Sequence, residues 1–193
     1  MQIAAACHDL GHGPESHLYE RFVKKMHPEE NYSHEEMSLK MLAHLIQSNN
    51  LSPILEEDLG DLNNQDDWMF INELIFGPLD QNNKTGNGNH VDQWHYKGRP
   101  EEKSYLYEIV ANKKNGLDVD KFDYLKRDAQ YFGMGRMFDY NRYIHFVKVI
   151  LDENQRKTIA LPFKEKKIVQ VSNQIKFIYL FIVYFKYYSI IHI

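Results

Sequence analysis

A single cysteine, Cys7, stands among 193 residues. That excludes an internal disulfide framework and a zinc ribbon, and it points to a reducing compartment, nuclear or cytoplasmic. Basic charge is also short: 23 Lys and Arg against 27 Asp and Glu leave a net charge of −4. There is no global field of the kind that draws proteins onto nucleic acid or anionic membranes, so an anionic substrate must be met by local groups. Long apolar runs are scarce. The tail 175–193, IKFIYLFIVYFKYYSIIHI, is apolar between Lys176 and Lys186 but falls short of the roughly 20 residues that span a bilayer. It reads as an anchor with snorkelling lysines and tyrosines, as a buried strand pair, or as translated non-coding sequence rich in A/T codons. The last reading is favoured, with no membrane partner and no function assigned to the tail.

What the chain has in excess is histidine, ten in all, concentrated towards residues 8 to 34. Imidazole is a borderline ligand for transition metals and a proton carrier near neutral pH. With 43% hydrophobic and 26% charged residues, one domain with a substantial core is expected. Met1 to Cys7 is small and apolar with no basic lead, so it is not a signal peptide. It reads as the last turns of a core helix whose neighbours are missing, which would leave its apolar surface, like that of the tail, exposed.

The remainder reads as mostly helical. Ser33-His-Glu-Glu36 is a capping box, followed by Met37, Met41, Leu42, Leu45 and Ile46 at helical spacing, so a helix is predicted over His34 to Ser48. Weaker helical patterns cover Pro53 to Asp58, Asp66 to Phe76, Glu101 to Asn112, Asp118 to Tyr131 and Tyr140 to Ile150. Asp80 to His90 is a polar, glycine-rich loop or insertion. Val147 to Leu151 and Thr158 to Leu161 flank a turn, which allows a short β-hairpin near 147–161 in an otherwise all-α fold.

The chemistry gathers in His8-Asp9-Leu-Gly-His12-Gly-Pro-Glu-Ser-His17. A histidine followed by an aspartate at a helix end can offer nitrogen and carboxylate oxygen to one metal, a mixed set suited to iron, manganese, zinc or magnesium. Gly11 and Gly13 relax the backbone there, and Pro14 opens the next segment. A lone His-Asp pair carries no information, and Gly-His-Gly can be plain loop chemistry. It is the whole string, with His12, His17 and His34 beyond it, that argues for a site. In a second cluster, Asp120, Tyr124 and Asp128 recur every four residues on one helix face with Lys121 beside them. These offer a carboxylate for a metal, a phosphate-binding ammonium and a hydroxyl. A solvated helix face with Asp120 as dipole partner is the plainer reading.

The stretches AACHDLGHGPESHLYERF, SHEEMSLKMLAHLI, FGPLD, YKGRPEEKSYLYEIVANKKNGLDVDKFDYLKRD and FDYNRYIHF resemble the vertebrate SAM and HD domain-containing deoxynucleoside triphosphate triphosphohydrolases, within the HD phosphohydrolase superfamily. The resemblance runs from about Ala4 to about Ile159. It implies an HD-like helical core, with 1–160 as a partial HD domain and 161–193 as a divergent tail. It implies a divalent transition metal, iron, manganese or zinc, alone or with magnesium, held by His8, Asp9 and Asp120. The family's upstream metal histidine and its neighbouring arginine precede Met1, and an upstream SAM module is left open. The implied catalytic set is His12, His17, Glu20 and His34: His12 on the α-phosphate, His17 as proton donor to the leaving 5′ oxygen, and His34 oriented by an acidic neighbour. His12, His17, Lys121 and Tyr124 would contact the triphosphate and Asp128 the sugar, while Arg142 resembles an allosteric nucleotide contact or is a surface arginine.

A bound metal would activate water, the resemblance implies that the attack falls on the α-phosphorus, and a histidine near neutral pKa would protonate the leaving group. Deoxynucleoside triphosphates would thus yield deoxynucleoside and inorganic triphosphate. Family partners would be activating GTP or dNTP and further copies in a tetramer, with a nuclear location. The chain departs from the family pattern at Glu20, where aspartate is usual, and at Glu15, which replaces an aromatic residue and adds negative charge beside an anion site. The alternatives are another HD nucleotide phosphodiesterase or 5′-nucleotidase, since the metal pair alone does not fix the leaving group, and an inactive product that pairs with longer subunits.

Overall fold

A computed structural model describes residues 1–59, 65–78, 94–131, 133 and 139–162. The loop Asp80 to His90 and the tail from residue 163 lie outside the described residues. The chain falls into two compact units, 1–110 and 111–193. Among the described residues no helix is long and apolar enough to cross a membrane.

The first unit carries α1 (Gln2–Cys7), α2 (His17–Met26), α3 (His34–Ser48), α4 (Ser52–Leu59), α5 (Gln65–Phe76), a 3-10 segment (Glu101–Leu106) and α6 (Tyr107–Val110). Its core forms where α5 packs against α1 and α3. Phe70, Ile71, Leu74 and Ile75 line one face of α5 at helical spacing and meet Ala4, Leu42, Tyr107 and Val110. The expectation that Met1 to Cys7 would lie exposed is corrected. Ala4 is fully buried, and Ile3, Ala5 and Cys7 pack on the same core, because α5 supplies an apolar face for α1 to cover.

The Ser33 half of the capping box forms, its Oγ accepting from the Glu36 amide, while the Glu36 carboxylate pairs with Lys40 at 2.8 Å. Helix α2 has no counterpart in the sequence reading, although Leu18, Phe22 and Met26 stand four apart; these side chains are exposed. The helix expected over Glu101 to Asn112 is instead tighter and shorter. Pro100 O takes the Lys103 amide at 2.9 Å, an i to i+3 bond that starts 3-10 winding, and Lys103 is non-helical.

A buried carboxylate organises the segment before it. Glu73 on α5, 2% exposed, accepts from the amides of Lys97 (2.7 Å) and Gly98 (2.9 Å) and from the Tyr107 hydroxyl (2.6 Å). Gly98 is required there, since a Cβ would lie 2.4 Å from the Phe70 amide nitrogen. Arg99 stacks over the Phe70 ring, 4.4 Å from its centroid, and pairs with Asp67.

The second unit carries α7 (Val119–Tyr131), α8 (Tyr140–Phe146) and the antiparallel strands β1 (Lys148–Leu151) and β2 (Lys157–Ala160), with Lys148 opposite Ala160 and Leu151 opposite Lys157. Leu117, Leu125 and Tyr143 form its core with Phe122, Val147 and Ile159 packed around them. The helical reading of Tyr140 to Ile150 runs too far. Val147 turns extended, and the β-branched residues Val147, Val149 and Ile150 favour a pleated surface. The hairpin expected near 147–161 forms, so the described residues are mostly helical with one small antiparallel sheet.

Replacing Glu73 with Gln presents an amide donor to at least one of its donor partners. This should cost about 1–3 kcal/mol, and Tyr107→Phe about 1 kcal/mol. Urea midpoints for the two variants check both values, and an unchanged midpoint for Glu73→Gln would refute this role.

Candidate active site

The segment after α1 is fastened by three bonds, two to Ser38 on α3 and one to Tyr32 just before α3. The Ser38 hydroxyl accepts from the Gly11 amide at 2.8 Å and donates to the His8 carbonyl at 2.5 Å. The Tyr32 hydroxyl donates to the Gly11 carbonyl at 2.9 Å. Gly11 sits so close to α3 that a Cβ would fall 2.2 Å from the His34 carbonyl oxygen and 2.3 Å from the Ser38 amide nitrogen. Neither Ser38 nor Tyr32 figures in the sequence reading. The only available signal is that Ser38 lies four residues after His34, on the same helix face.

Within this clamp His8 and Asp9 are set as a donor pair. His8 Nδ1 lies 2.8 Å from the Ala5 carbonyl. A carbonyl only accepts, so Nδ1 carries the proton, leaving Nε2 as the ring's ligand-capable nitrogen. Nε2 stands 3.3 Å from Asp9 Oδ1, and His12 Nε2 lies 3.4 Å from the same oxygen. An imidazole lone pair facing a carboxylate oxygen calls for a cation between them, and this nitrogen and oxygen set suits a divalent transition ion. The pair therefore fits the metal that the motif implies.

Beside the pair stands a group of three imidazoles. His12 and His34 stack at 4.1 Å and 12°, and His17 stands edge-on to both at 5.0 and 5.2 Å. Glu20 Oε2 accepts from His34 Nδ1 at 2.6 Å, lies 4.0 Å from His17 Nδ1, and its other oxygen meets Lys24 Nζ at 2.5 Å. Glutamate at this position is thus long enough to orient His34. Burial alone would raise the Glu20 carboxyl, but the bonds from Lys24 and His34 outweigh it and hold it below the usual range. Burial, then the neighbouring His34, holds the His12 imidazole below the ordinary histidine range. His17 is the open member, its side chain 70% exposed.

Two consecutive turns deliver His17 to the start of α2. Ser16 N bonds Gly13 O at 3.0 Å, and Leu18 N bonds Glu15 O at 3.1 Å. Pro14 takes the second position of the first turn, and Glu15 follows at φ 61°, where glycine or asparagine is usual. Ser16 then adopts φ 50°, ψ −116°. Such conformations of non-glycine residues cost on the order of 1–3 kcal/mol each.

The residues of the second cluster lie in the other unit. Asp118 caps α7, its carboxylate accepting the Lys121 and Asn112 amides at 2.9 and 2.7 Å; burial raises its carboxyl despite those bonds. Asp120, Tyr124 and Asp128 share a half-buried face beside the buried stripe of Lys121, Leu125 and Ala129. Lys121 is 8% exposed, and its Nζ would lie 3.1 Å from a Cβ on Gly116 (φ +62°). Arg142 is exposed on α8, its amide held by Asp139 and its guanidinium 5.7 Å from the Phe146 ring centroid.

No family model matches the chain. Among curated proteins it is similar to the deoxynucleoside triphosphate triphosphohydrolase SAMHD1 of Xenopus laevis, at 47% identity over 86% of this chain and 26% of the relative. The Homo sapiens protein of that name is 45% identical over 83% of this chain and 24% of the relative. An HD domain-containing protein of Acanthamoeba polyphaga mimivirus is 32% identical over 84% of this chain. The resemblance read from the motifs is met, and the chain spans about a quarter of the length of the curated relatives it matches.

Gly11→Ala drives a methyl into the α3 backbone, and no side-chain rotation relieves it. It should destabilise the chain by more than about 3 kcal/mol, at the upper end for point substitutions, and abolish manganese uptake. Thermal unfolding and bound-metal analysis check this, and a variant with native stability would refute the clamp.

Proposed function

We propose that the first unit carries the phosphate-handling centre of a metal-dependent phosphohydrolase acting on deoxynucleoside triphosphates and releasing inorganic triphosphate. The observation that carries this reading is the His8–Asp9 donor pair set directly against the His12, His17, His34 and Glu20 group. The names of the relatives supply the substrate class.

When bound, a divalent transition ion supplies Lewis acidity to a phosphoryl oxygen and lowers the pKa of bound water. The chain's own groups do the rest. His8, fixed through Ala5, and Asp9 provide nitrogen and oxygen donors. His12, mostly enclosed between Asp9 and His34, meets the α-phosphate. His17 is exposed enough to reach an incoming nucleotide and gives a proton to the departing 5′ oxygen. Glu20 holds His34 in one ring orientation through the 2.6 Å bond. Asp120 as a further metal ligand, Lys121 and Tyr124 on the triphosphate, Asp128 on the sugar and Arg142 on an activating nucleotide remain part of the proposal on the strength of the motifs that carry them.

The test incubates the manganese-loaded protein with dGTP, dATP and a 5′-monophosphate and identifies the products by phosphorus NMR. Deoxynucleoside plus inorganic triphosphate is expected, with His17→Ala slower by about 10²–10⁴-fold and Asp9→Asn devoid of both bound manganese and turnover. Release of single phosphate instead would establish the phosphodiesterase or nucleotidase alternative. Bound manganese with no hydrolysis of any nucleotide would overturn the enzymatic reading.

A further inference from the structure

We propose that His12, His17 and His34 form a second transition-metal site, separate from the His8–Asp9 pair and selective for zinc-class ions. One ring nitrogen from each of the three lies within 4.8 Å of the others. The proposal does not depend on the hydrolase reading, since it concerns what three imidazoles bind when no nucleotide is present.

Two of the three rings are prepared as ligands. Glu20 accepts from His34 Nδ1, which leaves Nε2 as that ring's donor, the carboxylate–histidine arrangement that orients metal-binding imidazoles. His12 directs Nε2 at Asp9, while its Nδ1 is buried and has no hydrogen-bond partner among the described residues. A buried ring nitrogen left in this way is costly unless something fills the space before it.

The third ring supplies the movement. Zinc–nitrogen bonds of about 2.0–2.1 Å in tetrahedral geometry put the nitrogens about 3.3 Å apart, so the group must contract and the His12–His34 stack must tilt. His17 can close on the others because its side chain is largely exposed and is held to Glu20 only at 4.0 Å. Three imidazoles with the fourth position open to water or an anion suit zinc, cobalt or copper better than magnesium, which takes oxygen ligands. The metal site itself stands apart from the proposed hydrolysis; where that proposal also holds, zinc here would occupy the space assigned to the phosphate and exclude the substrate.

The experiment titrates the whole chain with Co²⁺ alone, reading visible d–d absorption, and counts bound Zn²⁺ by equilibrium dialysis, with circular dichroism as the control for folding. Wild type should show the intense bands of low-coordinate cobalt and a zinc equivalent that survives His8→Ala with Asp9→Asn. His17→Ala, an exposed substitution that spares the core, should remove those bands and that equivalent, with His34→Gln as a second variant of the same outcome. Bands that persist in His17→Ala, or that vanish with the His8 and Asp9 changes, would overturn the site, as would wild type without them. None of these outcomes bears on nucleotide hydrolysis by the manganese-loaded protein.

Discussion

The site rests on one hydroxyl. Ser38 is wholly enclosed in α3 and bonds two backbone groups of the segment that follows α1, the His8 carbonyl and the Gly11 amide, the latter 27 residues away in sequence. Each bond is worth about 1 kcal/mol net, but a buried amide or carbonyl left without a partner costs about 1–3 kcal/mol. The clamp therefore acts less by attraction than by penalising any other path of the chain. With Tyr32 adding a third bond, the backbone from His8 to Gly11 has little freedom, and the direction of the His8 ring is fixed further by Ala5.

That rigidity is unevenly shared. His8, His12, His34 and Glu20 are mostly enclosed and oriented by identified partners, whereas His17 stands largely in solvent at the first position of α2. The phosphohydrolase chemistry proposed for the site would use both kinds of group: ligands that do not reorganise when charge develops, and one that can follow a substrate. The same device of a buried polar group gathering loop amides recurs at Glu73, which holds Lys97 and Gly98. In both places an irregular segment is ordered by a helix side chain rather than by its own hydrogen bonds.

How far the fold could be read follows from this. The capping box gave the start of α3 because its signal lies within four residues. The apolar spacing gave the helix but not its buried face: Leu42 and the polar Ser38 are buried, while Met41 and Leu45 remain exposed. Helix α2 was missed because its buried apolar surface is little more than Val23, so its pattern does not separate a core face from a solvent face. The histidines and acids of the candidate site were legible as chemical types, since His8, Asp9, His12 and His17 occupy one short stretch. Ser38, Tyr32 and Glu73 were not. Their roles come from contacts 21 to 34 residues away in sequence, which neither spacing nor composition encodes.

The paired left-handed residues Glu15 and Ser16 carry an evolutionary consequence. A lineage under pressure only to survive heat would exchange them for glycine or asparagine, which adopt such angles at less cost. Their persistence in a population would mark purifying selection acting on where the chain after Pro14 delivers its imidazole. Drift at these two codons, with the clamp residues retained, would be an early sign that the lineage had stopped using the loop.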